Sequence, residues 1–481
     1  MAHWRIERET GKDVRAGIIR AVRERFAEHL AQSGLIPHGA TVVLGYSGGA
    51  DSTCLLSLLA HVGVDVIAAH LHHGLRSEAD DELDRCRRFC EELDVPFMSG
   101  RADVARIAED RKVGYEEAGR EARYAFFEQC LSSTNAALIA TAHTLDDHVE
   151  TVLFNLARGS GMRGLAGIPE SSGHIVRPLL PFLRTETRVY CLSEKLWFHD
   201  DPANEETGFA RVKLRKFVVP VIAEINSSAR QNIARSARTL REEDRFLDGM
   251  AAAGLERAEM ESACPLSFLY DDVYVAFDRN RLTELPRVLL CRGLRLVTAT
   301  LGAALDHDQT NSIVESLEKE TQKGSVTAEG GKVVVEWGTA KFICRSLEEP
   351  TPLSTSVELP GETTSKVSGW RLSARTTTAA DLYRPPLSLD VVIGTNGLKA
   401  PFHLRTGVHQ ETMLPFKASN QKKISELLAD IGVPEPVRKR IPILCDLIGP
   451  VWVPGSTIAE RAKVSPSEAK CVHLTFGPIR T

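Results

Sequence analysis

From residue 41 to about residue 225 the chain alternates two patterns. Short, uninterrupted apolar runs read as strands at Thr41–Tyr46, Asp65–His70, Val95–Ser99, Ala137–Ala142 and Ile175–Leu180. Between them, apolar residues recur at helical spacing over Ala79–Leu93, Glu116–Leu131 and Asp146–Ala157. Strands that are apolar on both faces and separated by helices predict a parallel sheet covered on both sides. Ahead of this block, Ile18, Ile19, Val22, Phe26 and Leu30 share one face of an N-terminal helix. Behind it, a helical part runs to about Lys319 and a β-hairpin-like stretch covers Ser325–Cys344. A Pro/Ser/Thr-rich connection, Glu349–Thr378, reads as exposed or linker-like. In the tail, Ile424, Leu427, Leu428 and Ile431 again fall at helical spacing, which marks a folded module. The expected class is α/β: a Rossmann-like parallel-sheet domain over 1–228, a mostly helical middle domain over 229–395, and a small α+β domain over 396–481.

Ligands of parallel sheets bind beyond the carboxyl ends of the strands, so the residues following each strand carry the chemistry. The first strand runs into Gly45-Tyr46-Ser47-Gly48-Gly49-Ala50-Asp51-Ser52, and Leu55, Leu56, Leu58, Leu59 and Val62 then mark a helix. Residues without Cβ let a loop turn sharply and let a phosphate approach the backbone. Ser47 and Ser52 add hydroxyls, and the leading N–H groups of the helix attract an anion. Asp51 would repel a phosphate unless a divalent cation lay between them, which suggests a Mg²⁺-nucleotide. An ordinary capped turn is the plainer explanation, but it does not call for this combination. A Walker loop is excluded because no Gly-Lys-Ser/Thr follows.

The later strand ends are polar as well. The second runs into His70, His72, His73, Gly74, Leu75 and Arg76, and the fourth into His143, Asp146, Asp147, His148 and Glu150. The histidine spacings match neither a zincin nor a zinc finger. Asp146 and Asp147 suit helix capping, but two acids facing a nucleotide loop also suit Mg²⁺, and they are the metal candidates beside Asp51. Arg120 and Arg123 share a helix face. Arg158 opens a Gly-rich stretch, Arg158–Leu165, expected to be mobile and to close over a substrate.

Composition narrows the class. The 481 residues are 43% hydrophobic and 26% charged, which is ordinary for a soluble protein of two or three domains. No apolar run reaches membrane-spanning length. Ten cysteines without paired spacing suit reduced thiols in a cytoplasmic protein. The net charge of −5 gives no global sign of nucleic acid. Locally, however, Arg211, Lys213, Arg215, Lys216, Arg230, Arg235, Arg238 and Arg241 are opposed only by Glu224. That run reads either as a solvated helix face or as a nucleic-acid grip.

The S-G-G-x-D-S string resembles the PP-loop of the N-type ATP pyrophosphatases. Taken with His73–Arg76, Glu117–Tyr124, His143–Thr151, Arg158–Leu165, Arg177–Leu180, Asp201–Asn204, Arg211–Pro220 and the tail Lys417–Pro454, the chain resembles the tRNA(Ile)-lysidine synthetase family over nearly its whole length. Two departures are Val212, where the family carries asparagine, and Gly119, where alanine is common. The resemblance implies an ATP-dependent ligase that joins free lysine to the wobble cytidine of an isoleucine tRNA with a CAU anticodon. It implies ATP at Ser47, Gly48, Gly49, Ala50, Asp51 and Ser52, with Mg²⁺ at Asp51, Asp146 and Asp147. His143 and Arg158 would support the reacting groups, and Arg211, Arg215, Arg235, Arg238, Lys422, Lys423 and Arg440 would hold tRNA. A homodimer is allowed and no membrane is involved. The rivals are a tRNA 2-thiolase, which relies on C-x-x-C pairs this chain lacks, and an amidating synthetase, which would not need the basic segment or tail. A non-catalytic RNA-binding protein would not need Asp51.

Overall fold

The computed structural model describes residues 2–72, 79–199, 210–319, 323–328, 330–378, 388–465 and 471–479. Of the motifs above, His73–Arg76 and Asp201–Asn204 lie outside these residues. The chain divides into two compact units, Met1–Arg245 and Phe246–Thr481.

The first unit is built on a six-stranded sheet of β1 (Thr41–Gly45), β2 (Asp65–His72), β3 (Phe97–Arg101), β4 (Leu138–Ala140), β5 (Ser171–Ser172) and β6 (Ile175–Val176). The order is β3-β2-β1-β4-β6-β5, parallel throughout except for the β5–β6 hairpin. Val42, Val43 and Leu44 of the central strand are fully buried because helices cover both faces. Strand order reverses between β1 and β4, and a parallel sheet opens its ligand crevice at such a switch. The helices are α1 (Ala2–Ser33), α2 (Ala50–His61), α3 (Ala79–Glu92), α4 (Val104–Arg111), α5 (Tyr115–Ser133), α6 (Leu145–Ala157), α7 (Met162–Leu165) and α8 (Arg184–Glu194). Helix α1 uses its apolar face as expected: Phe26 is buried, Ile19, Val22 and Leu30 pack on the same core, and Arg23 pairs with Glu194 of α8 at 2.5 Å.

Two strands in this unit are shorter than their apolar runs, β4 at Leu138–Ala140 and β6 at Ile175–Val176. The run Ile175–Leu180 stops being strand at Val176, because Pro178 has no N–H for the ladder. Its later residues turn back on themselves (Phe182 N–H to Leu179 O, 2.9 Å), and Leu179, Leu180 and Phe182 are buried as core.

In the second unit, helices Arg287–Thr300 and His307–Glu318 share a core with a four-stranded antiparallel sheet. Its strand order is Tyr274–Asp278, Lys341–Ser346, Val333–Trp337, Gly324–Thr327. The expected hairpin is therefore part of a larger sheet, and its outer partner comes from a stretch read as helical. The Pro/Ser/Thr-rich connection is corrected more fully. Residues 354–377 contain the strands Ser354–Val357, Gly361–Ser365 and Trp370–Thr377. Trp370, Leu372 and Ala374 alternate inward while Arg371 and Arg375 face out, the two-residue period of a half-buried strand. Trp370–Thr377 pairs along its whole length with Cys471–Pro478, and Ser354–Val357 pairs with Phe402–Arg405. These sheets therefore join residues on both sides of position 395. The helix expected in the tail is Ile424–Asp430, with Ile424, Leu427 and Leu428 buried. Among the described residues no helix is long and apolar enough to cross a membrane.

Candidate active site

A cleft of about 650 Å³ opens at the carboxyl ends of β1, β2 and β4, and Ser47, Gly49, Ala50, Asp51 and Ser52 form one wall. Gly48 has φ +78°, a left-handed conformation that glycine adopts without strain. A Cβ there would lie 2.7 Å from Cys86 Sγ and 2.9 Å from His199 Nδ1, so the loop has no room for any other residue. The Gly48 carbonyl accepts from His199 N–H at 3.0 Å, which ties the loop to the segment after α8. Ser52 Oγ donates to Gly49 O at 3.0 Å and lies 3.1 Å from Ser47 Oγ. No side chain caps α2 at Gly49, so its leading N–H groups are left for an anion in the cleft.

Opposite the loop stands a set of charges gathered from three helices. Arg184, the first residue of α8, reaches Asp147 at 2.6 Å, Glu150 at 3.3 Å and Asp51 at 3.5 Å. Glu150 is buried and also takes Arg215 at 2.8 and 3.1 Å. Thr187 Oγ donates to Asp51 at 2.5 Å. Burial pushes the Asp51 carboxyl up to about 6, against the opposing pull of Thr187 and Arg184. For Asp147, burial acts upward, but Arg184, His143 and the Thr144 donors outweigh it and hold the carboxyl below its ordinary range. His143 bonds Thr141 Oγ through Nδ1 at 2.8 Å, and burial pushes it down to about 4, so it is neutral near pH 7. His70 bonds the Tyr46 carbonyl through Nδ1 at 2.9 Å, which leaves Nε2 as the unprotonated nitrogen of a neutral ring.

The residues singled out in the sequence divide on this geometry. Ser47, Gly49, Ala50, Asp51, Ser52, His143 and Asp147 meet in one cleft, while Gly48 is outside its lining and makes the turn against Cys86 and His199. Asp147 also closes a capping box with Thr144, so capping and cleft are one role and not two. Asp146 does not line the cleft: its carboxylate takes Arg230 Nε at 3.0 Å and Arg184 N–H at 2.8 Å. Arg158 also stands outside the lining, with its guanidinium over the Phe154 ring at 5.3 Å. The Gly-rich stretch after it is bridged by Asn155 Nδ2 to Gly164 O at 2.7 Å and coils into α7. Among the basic residues, Arg211, Arg235 and Arg238 are exposed, whereas Arg215 turns into the cleft. In the second unit Lys422 and Lys423 are exposed and Arg440 is half-buried.

The motif-bearing segments are the ones that comparison with known proteins picks out. Residues 20–222 match the PP-loop domain and residues 402–475 match the TilS substrate C-terminal domain. A tRNA(Ile)-lysidine synthase of Geobacter sulfurreducens is 29% identical over 467 residues, 93% of this chain and 94% of its own length. That of Dehalococcoides mccartyi is 26% identical over 484 residues, 94% of this chain and 98% of its own. That of Porphyromonas gingivalis is 34% identical over 256 residues, 50% of this chain and 56% of its own. The chain carries a PP-loop domain and a TilS substrate C-terminal domain, and it is similar over nine-tenths of its length to tRNA(Ile)-lysidine synthases.

Within the matched PP-loop domain, two residues of the charge cluster stand in no recognisable motif: Arg184 and Thr187. Their only local signal is Glu186 at the start of α8, whose carboxylate accepts from the Leu183 N–H at 2.7 Å. It marks a helix start but not what the helix start touches. The three carboxylates that meet Arg184 lie 34 or more positions away along the chain.

Proposed function

We propose that this lysidine synthase relative ligates free L-lysine to C2 of the wobble cytidine in the CAU anticodon of an isoleucine tRNA. ATP first adenylates C2, releasing pyrophosphate, and the lysine amine then displaces AMP. The observation that carries this reading is the Ser47–Ser52 loop, with its Asp51, facing Asp147 across one cleft. It is supported by relatives named for this activity that match along more than nine-tenths of the chain.

Each residue then has a physical task. N–H groups of Gly48 to Asp51 and the hydroxyls of Ser47 and Ser52 hold the phosphates as negative charge moves onto the leaving pyrophosphate. Donors already in position for that charge are often the largest catalytic contribution. Asp51 and Asp147 fit a Mg²⁺ ion, because both line the cleft and already share one cation, the Arg184 guanidinium. Mg²⁺ commonly takes only one or two carboxylates and completes its shell with substrate phosphates and water. This fits the finding that, among the described residues, no three acidic, imidazole or thiol side chains form a cage. The ion would neutralise charge on the leaving group. Asp146 is left to fix Arg184 and Arg230, and neutral His143 offers a hydrogen bond beside the reacting oxygen. Arg211, Arg235 and Arg238, with Lys422, Lys423 and Arg440, grip the tRNA backbone; phosphate contacts of this kind position a nucleic acid without reading it. The enzyme is read as cytoplasmic, and a homodimer is allowed.

The test is a pair of variants, Asp51→Ala and Ser47→Ala. Each is expected to lower ATP-dependent pyrophosphate release by about 10²–10³ while filter-retention of tRNA stays near wild type. Wild-type turnover by either one refutes the phosphate-loop assignment.

A further inference from the structure

Arg184 is placed to do more than hold a helix start. Its main chain is held in place: the N–H donates to Asp146 at 2.8 Å, and the residue opens the first turn of α8. Its side chain, by contrast, lies in the open cleft with 28% of its surface exposed. The contacts it makes are unequal. Glu150 keeps both bonds from Arg215 whether or not Arg184 is there, and Asp51 keeps its short bond from Thr187. Only Asp147 and Asp51 face each other across the guanidinium with no other cation within salt-bridge reach among the described residues.

Three carboxylates here face two guanidinium groups, so the cluster retains one unit of negative charge. A dication with oxygen ligands at about 2.0–2.1 Å needs the same carboxylate oxygens that Arg184 holds, and it repels the guanidinium. We propose that Arg184 is an exchangeable counter-ion: it neutralises Asp51 and Asp147 until a divalent cation enters between them. It then swings, on a fixed backbone, toward the phosphates bound at Ser47–Ser52. The exchange delivers a positive charge to the leaving pyrophosphate only when metal and nucleotide are both present. This rests on the reading of Asp51 and Asp147 as the metal-holding pair.

The full-length chain carrying Arg184→Met is titrated with Mn²⁺ alone and followed by the loss of free-ion paramagnetic resonance. Removing the competing cation is expected to tighten Mn²⁺ binding without nucleotide by about tenfold, while ATP binding in the presence of Mn²⁺ weakens. Arg184→Lys keeps a charge and is expected to stay near wild type. If methionine does not support the fold, Arg184→Gln must show the same tightening. Unchanged or weaker Mn²⁺ binding in a folded variant, when wild type binds Mn²⁺ with ATP, overturns the exchange alone. Absence of Mn²⁺ binding to every form even with ATP overturns the metal assignment and the exchange with it.

Discussion

Glu150 offers the sharpest test of how the cleft is held together. Its side chain is 3% exposed and accepts from two arginines, Arg184 at 3.3 Å and Arg215 at 2.8 and 3.1 Å. Glu150→Gln preserves the shape but turns one acceptor into a donor facing guanidinium N–H groups. Removing one partner of a buried pair commonly costs about 3–5 kcal/mol, because the other charge stays behind. Here the two arginines are only partly covered, 28% and 30% exposed, and can recover some hydration. The expected loss is therefore about 2–3 kcal/mol. For a unit the size of Met1–Arg245 this is a fall in Tm of about 4–12 °C. Arg215→Met should cost less, about 1 kcal/mol, since Glu150 keeps Arg184. The double variant should be milder than the two losses added, because the second change removes one of the charges the first left bare. Calorimetric melts of the four proteins measure this directly. If Glu150→Gln melts within 1 °C of wild type, or if the two losses simply add, the cluster is not the buried network described.

Two further predictions concern the basic segment and the second unit. Reversing the exposed Arg235 and Arg238 to Glu should weaken binding of many tRNAs alike and flatten its salt dependence, each lost phosphate contact removing roughly 0.7–0.9 from the slope of log K against log salt; an unchanged slope returns the segment to a solvated helix face. Truncation should depend on the cut. A chain ending at Arg245 should keep ATP affinity, whereas one ending at residue 395 should aggregate, because the strands Ser354–Val357 and Trp370–Thr377 lose their partners and leave bare sheet edges. Equal solubility and equal ATP affinity for the two truncations would refute that division.

The parallel sheet and the phosphate loop were legible because both are written locally. Buried strands show as unbroken apolar runs, and a loop that must admit a phosphate shows as Ser47-Gly48-Gly49. Runs that are apolar for another reason mislead in the same way, as Leu179 and Leu180 do: they are buried in a turn after Pro178. The strands of residues 354–377 were hidden by their Ser and Thr content, which resembles a linker until Trp370, Leu372 and Ala374 are seen to alternate. Thr suits strands well, so composition alone misread its role. The charge cluster was half legible. Asp51 and Asp147 stand in recognisable strings, but which acids face the cleft depends on helix rotation, and this turned Asp146 toward Arg230. Arg184 and the inward turn of Arg215 exist only as long-range geometry.

The most direct test of the central claim is incorporation of radiolabelled lysine into purified isoleucine tRNA with a CAU anticodon, with ATP and Mg²⁺ and the full-length chain. The account predicts label on the tRNA that requires ATP, disappears with Asp51→Ala, and is absent when the wobble cytidine is replaced by uridine. Pyrophosphate release without any lysine transfer to that tRNA would contradict it.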